Sequence, residues 1–341
     1  MNQPQTETKS EFSIHPKTMM GAISLTVASL DNQLEFYQKV MGFKLHWREG
    51  SKAGMGSGGK DILLLTEEPN VKKYRGVTGL YHVAYLFPNR RELAIAVGRL
   101  FALKYPNAPT DHIMTKTTYL DDLEYNGIEL YCESPEDGTW TFKDGKFESY
   151  RKDGSWSDGR EALDVDALFD HLHEGDKLDA PVPPELKIGH VHLHVRDVDE
   201  AVDFYHGVIG FDIKGVATPF QMGFVSAGGY HHHLGLNTGR TRRPPPPDAV
   251  GFRHFMIDLP TQAAYDGSGS PMDAAGRSAH HDRRACCCTI RHRMALCCES
   301  HRKADWQLAP RKYQKNIRSR VDFGCFDSIS KLSARFVLPR R

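Results

Sequence analysis

The feature that most constrains this chain is a repeat inside it. Val27-Ala-Ser-Leu-Asp-Asn-Gln-Leu-Glu-Phe-Tyr-Gln-Lys-Val-Met-Gly-Phe43 returns as Val195-Arg-Asp-Val-Asp-Glu-Ala-Val-Asp-Phe-Tyr-His-Gly-Val-Ile-Gly-Phe211, an offset of 168 residues. Tandem duplication is the simplest account, and repeated units of this size bury their apolar faces on one another. Each copy opens with strand-like alternation, Ala22-Ile-Ser-Leu-Thr-Val27 and His190-Val-His-Leu-His-Val195. Asp31 or Asp199 then stands near a helix start. Leu34, Tyr37, Val40 and Met41 trace an amphipathic helix, and Gly42 or Gly210 ends it.

A second kind of unit follows in each half. It opens with Gly79-Leu-Tyr-His-Val-Ala-Tyr-Leu-Phe-Pro88 and with Gly251-Phe-Arg-His-Phe-Met-Ile-Asp-Leu-Pro260, histidine preceding proline by six residues in both. The first runs into a helix over Glu92 to Leu103 and closes on Asn126-Gly-Ile-Glu-Leu-Tyr131, a turn leading into a strand. No such closing segment follows Pro260. The expected organisation is a polar tail (1–15), an amino-terminal pair of units (16–135) and a linker with a short helix over Glu161 to Leu172 (136–186). An incomplete carboxy-terminal pair (187–268) and an irregular tail (269–341) complete it. The fold class is α+β, with strand–helix–strands units paired into curved-sheet barrels and the second pair incomplete.

Composition adds boundaries. A chain of 341 residues with 40% hydrophobic and 26% charged residues is globular rather than fibrous or disordered. No apolar run approaches the roughly 20 residues of a membrane span, and the polar opening Met1-Asn-Gln-Pro-Gln5 lacks an apolar signal core, so a cytoplasmic, membrane-free protein is expected. The near-neutral balance conceals an asymmetry, since residues 271–341 hold 16 basic against six acidic residues. Six of the seven cysteines also crowd that tail, Cys132 alone lying in the body. Zinc binding by His280, His281, His292, His301 and these cysteines is disfavoured, because adjacent cysteines cannot easily face one tetrahedral centre. A reading-frame change or unrelated sequence joined to a truncated unit is the preferred account. The basic tail gives no specific nucleic-acid signal. Gly54-Met-Gly-Ser-Gly-Gly59 lacks the Gly-Lys-Ser/Thr ending of a phosphate loop, and there is no serine nucleophile elbow.

Gly189-His-Val-His-Leu-His-Val195, Asp203-Phe-Tyr205 followed by Gly210-Phe211, and Asn126-Gly-Ile-Glu-Leu-Tyr131 together resemble the vicinal oxygen chelate superfamily of glyoxalases, bleomycin-resistance proteins and type I extradiol dioxygenases. Tyr230-His-His-His-Leu-Gly-Leu-Asn-Thr238 is most similar to the two-domain catechol 2,3-dioxygenases. The resemblance covers residues 16–260, broken by the linker. It implies a dioxygenase that opens a catechol with O2 on iron(II), manganese(II) being an alternative metal. Two imidazoles and one carboxylate fix one face of such an ion and leave positions for substrate. The partners implied are a small aromatic diol and O2, with a homo-oligomer allowed.

Residue by residue, the resemblance places metal ligands at His190 and His254 and an acid–base histidine at His232. Period two sends His232 to one face and His231 and His233 to the other. His192 and His194 share the face of His190, and pairing with neighbours is preferred for them over lining the pocket. The carboxylate would come from a second Asn-Gly-Ile-Glu-Leu-Tyr, and none follows residue 260. Extending the offset from Glu129 lands on His301 in the tail, with Glu299 nearby. His82 and Glu129 match two ligand positions in the amino-terminal half, but the third there is Ala22, so His82 reads as a packed, hydrogen-bonded histidine and Glu129 as a residue kept from duplication; the resemblance makes this half a scaffold and leaves the metal site to the carboxy-terminal half. The expectation is a dioxygenase site that has lost its carboxylate, with inactivity in view. A glyoxalase-type isomerase or lyase, or a non-catalytic binding protein, is the alternative.

Overall fold

Each of the first three units is a strand, a capped helix and a return through further strands. The computed structural model describes residues 13–238, 243–261 and 264, with the backbone of 285–290 and 293–298. In the first unit, β1 (Met19–Val27) leads to α1 (Leu30–Lys39), then β2 (Lys44–Glu49), β3 (Lys52–Ser57) and β4 (Lys60–Glu67). The Ser29 side chain accepts from the Asn32 N–H to start α1, and Gly42 closes the helix at φ +74°. The second unit runs β5 (Gly79–Leu86), α2 (Arg90–Ala102), β6 (Ala108–Asp111), β7 (Thr115–Asp121) and β8 (Gly127–Glu133), with Asn89 capping α2.

Residues 136–186 hold more than the expected linker. They form a small sheet of β9 (Gly138–Lys143), β10 (Lys146–Arg151) and β11 (Trp156–Ser157), then β12 (Glu161–Ala162) and α3 (Val165–Phe169). The helix is shorter than expected because Glu161 and Ala162 pair with Asp111 and Thr110, and Asp164 caps it by accepting from the Ala167 N–H.

The third unit is β13 (Lys187–His194), α4 (Val198–Phe204), β14 (Asp212–Ala217), β15 (Met222–Ser226) and β16 (Leu234–Asn237). The fourth begins with β17 (Gly251–Asp258), against which β18 (Ala285–Ile290) and β19 (Arg293–Cys298) form a hairpin. These two strands fall in the stretch expected to be irregular; a short, largely apolar run carries no period that would announce a strand. The tail's cysteine and histidine side chains lie outside the described residues.

The α+β class and the paired units stand. The partnership, however, crosses the two halves. One sheet has the order β18-β19-β17-β1-β4-β3-β2 and joins the first unit to the fourth, whereas the other, β12-β6-β7-β8-β5-β13-β16-β15-β14, joins the second to the third. The joints are antiparallel, β1 with β17 and β5 with β13. Alternation fixes which face of a strand is buried, but says nothing about which free edge it meets. One cluster of buried apolar side chains, including Leu25, Tyr37, Leu63, Val83, Leu93, Val191, Val202 and Ile257, draws on both sheets and on the helices. Among the described residues no helix is long and apolar enough to cross a membrane.

Candidate metal centre

The joint between the second and third units sets three chelating side chains on one face. Glu129 of β8 and His190 of β13 flank Ala84 of β5 in a row across the sheet, and His82 lies two residues from Ala84 on the same strand. Alanine between them is small enough for the flanking side chains to lean over it. His82 Nε2 lies 3.0 Å and His190 Nε2 3.1 Å from Glu129 Oε2, and the two nitrogens are 3.3 Å apart. All three residues are at most 4% exposed.

The supporting contacts aim these groups. Thr117 Oγ1 donates to Glu129 Oε1 at 2.9 Å, and Tyr119 stands directly opposite Glu129 on β7. Tyr119 in turn meets His112 Nε2 at 2.8 Å. Oε1 is thus held from β7 while Oε2 faces the imidazoles. The Nδ1 atoms of His82 and His190 have no protein partner among the described residues. Their rings are held by packing, His82 against Tyr81, Tyr119 and His192, and His190 against Tyr131 and His232.

Burial alone would raise the Glu129 carboxyl, but the charge and hydrogen bond of His190, with those of His82, hold it well below the usual carboxylate range. Burial lowers His190, opposed by the Glu129 charge. The donor set fits a divalent ion. Metal–ligand bonds of about 2.1 Å at right angles put neighbouring donors about 3.0 Å apart, close to the three separations seen.

A second group of histidines adjoins the first. His231 and His232 bring ring nitrogens to within 4.8 Å of each other and of His190. His232 lies flat on Phe224, with ring centroids 4.2 Å apart and planes at 7°, and its Nδ1 has no hydrogen-bond partner among the described residues. Burial first, then the neighbouring His190 and His231, push His232 well below the ordinary histidine range. The expected alternation of residues 231–233 does not hold, because β16 starts only at Leu234. His231 and His232 both approach His190, while His233 turns aside to accept from the Ala227 N–H and meet Ser226 Oγ.

The sequence model of the Glyoxalase/Bleomycin resistance protein/Dioxygenase superfamily matches residues 20–139 and 187–267. The chain belongs to that superfamily. It is 39% identical over 271 residues, 78% of its own length and 91% of the other's, to a Bacillus subtilis (strain 168) protein named Catechol-2,3-dioxygenase. A Bacillus subtilis crystal structure, 16% identical, aligns over 81% of this chain and 77% of that one with a TM-score of 0.46. A glyoxalase I mutant from Zea mays, 15% identical, aligns over 77% and 80% with a TM-score of 0.43.

Within this superfamily chain the sequence-derived residues separate. His190 and His232 come together, joined by His82 and Glu129. The structure does not bring His254 to them: it sits opposite Ser24 in the other sheet and belongs to neither metal-competent group. Pairing within each half places the expected partner of His190 in the fourth unit, whereas pairing across the halves sets it against the second unit. His82 and Glu129 are legible as ligand-type residues, and matching them with Ala22 rather than His190 leaves their set one donor short. The available signal was that residues 79–133 hold both members of an intact histidine-and-glutamate set, lacking only one histidine from a neighbour.

Proposed function

We propose that this chain is an extradiol ring-cleaving dioxygenase, opening a catechol-type aromatic diol with O2 on iron(II) held by His82, Glu129 and His190. The observation that carries the reading is the cluster of two imidazole nitrogens and one carboxylate oxygen within 3.3 Å of one another. Support comes from the relative named Catechol-2,3-dioxygenase. The expectation of inactivity rested on a missing carboxylate beside His190, and Glu129 removes that ground.

When bound, iron(II) would supply a redox-active centre at which diol and dioxygen meet, and a three-residue donor set leaves coordination positions for both. The residues do the rest. Glu129 contributes the negative charge suited to a divalent cation, and Thr117 keeps its other oxygen from swinging away. His232, neutral at physiological pH, has a free ring nitrogen beside His190 and takes the proton of a diol hydroxyl. Phe224 fixes the plane of that ring. Manganese(II) suits the same donors, and metal analysis of the purified protein separates the two.

The test is reconstitution of the full chain with iron(II) under anaerobic conditions, followed by catechol and air. A coloured ring-opened product is expected. Protein carrying one iron per chain, folded, and giving no product with any of a panel of catechols would overturn the reading.

A further inference from the structure

Residues 138–151 do more than connect the halves. β9 and β10 form a hairpin, with Trp140 opposite Ser149 and Phe142 opposite Phe147. This hairpin is fastened to both units that build the candidate metal centre. On the second unit, the Trp140 indole N–H donates to the His112 carbonyl at 2.6 Å, and the Trp140 backbone N–H donates to Met114 Sδ at 3.0 Å. On the third, the Phe142 ring fills the place of the side chain that Gly215 lacks, where a Cβ would come within 2.1 Å of it. Phe142 also meets Phe224 edge-on at 5.6 Å, the ring on which His232 lies.

These fastenings put the Trp140 ring over the histidines. Its centroid is 5.3 Å from His231, with planes at 89°, and 6.4 Å from His232, with planes at 28°. It is half-buried, so one part of the indole packs on the cluster and another meets solvent. The same residue is also tied to the strand beside Glu129: Trp140 to the His112 carbonyl, and His112 Nε2 to Tyr119, which stands opposite Glu129. A large aromatic side chain held at two edges and placed at the solvent side of a chelating cluster contacts whatever planar ligand enters there.

We infer that Trp140 is the specificity-determining cover of this site, its indole packing on the ring of a bound aromatic diol and limiting the bulk that ring carries. The inference takes its ligand class from the dioxygenase reading, and the hairpin geometry supplies the rest. Replacement by alanine opens the solvent side, weakens the hold on a small diol and relieves exclusion of a large one.

The experiment uses the full-length, iron(II)-loaded protein in two arms. In the first, anaerobic titration with catechol is followed by tryptophan fluorescence. Saturable quenching is expected in the natural protein, with loss of most of that signal in Trp140→Phe, which preserves an aromatic ring for packing. In the second, turnover of catechol is compared with that of 2,3-dihydroxybiphenyl. Trp140→Ala is expected to raise the KM for catechol about 10-fold with kcat within about threefold, and to shift the preference toward the bulky diol about 10-fold, while Trp140→Phe restores most of the natural KM. Equal quenching in natural and Trp140→Phe protein, or an unchanged KM and preference in folded Trp140→Ala, overturns the inference. The two claims fail separately. Quenching through Trp140 without turnover removes the dioxygenase reading and leaves the cover, whereas turnover indifferent to Trp140 does the reverse.

Discussion

Where the nine-stranded sheet gathers His82, Glu129 and His190, the seven-stranded sheet has His254, Ala295 and Ala22 at the corresponding places. Ala22 and His190 differ by the 168-residue repeat, and His254 occupies in β17 the place of His82 in β5. Ala295 stands opposite Met256 as Glu129 stands opposite Ala84, but β19 runs antiparallel to β17, whereas β8 runs parallel to β5. Leu64 pairs with Ser24 where Gly235 pairs with His192. The consequence is a change of chemistry on one architecture: Ala22, Met256 and Leu64 pack as a small apolar cluster where the other sheet has a buried carboxylate between imidazoles. Apolar filling requires only volume. A chelating set requires three donors converging on one point, and a buried carboxylate is costly unless paired. A sheet joint can therefore keep its fold after losing its donors, and the presence of the joint alone does not reveal a site.

The comparison breaks most visibly at the carboxylate. Glu129→Gln should lower turnover of a catechol at least about 1,000-fold and remove stoichiometric iron, measured by metal analysis and product absorbance. Equal turnover would mean that the site lies elsewhere. In the apolar counterpart, Met256→Ala should cost about 2–5 kcal/mol of stability by leaving a cavity, while iron per chain stays unchanged. Urea unfolding and metal analysis on the same sample read both quantities. Thr117→Val sharpens the account of how Glu129 is held: without the donor to Oε1, metal affinity should fall about 10- to 100-fold, read by competition with a chelator.

The smallest effect concerns acid. Burial, with the Arg253 charge, lowers His254 to about 4, and burial lowers His233 to about 4. An unfolded histidine titrates near about 6.5, so as pH falls below that value the unfolded chain takes up protons that the folded chain refuses. Stability therefore falls between about pH 6.5 and 4 and levels off below. His254→Leu should flatten that slope by up to one proton, about 1.4 kcal/mol per pH unit, without altering iron content. Urea midpoints between pH 4.5 and 7.5 measure it, and an undiminished slope would show that His254 takes up its proton as readily in the folded chain as in the unfolded one.

Much of this molecule is legible in its sequence. The repeat, the alternation of Ala22 to Val27 and His190 to Val195, and glycines at 42 and 210 lead directly to β1, β13 and the helices behind them. His190 and His232 come from the family resemblance, and the structure sets their ring centroids 4.2 Å apart. The partnership of the sheets is not legible, because period-two patterning is identical whichever edge a strand joins. That single ambiguity separates His254, the expected partner of His190, from His82 and Glu129, the proposed ones. The hairpin at 138–151 was hidden for another reason: Lys143-Asp-Gly-Lys146 marks a turn equally well in a linker and in a strand pair, and only the anchoring of Trp140 and Phe142 distinguishes them.

The most direct measurement is iron content in two single variants, His82→Ala and His254→Ala, prepared alongside the natural chain. Pairing across the halves predicts about one iron per chain in the natural protein and in His254→Ala, and near none in folded His82→Ala. Iron retained in His82→Ala and lost in His254→Ala would contradict it.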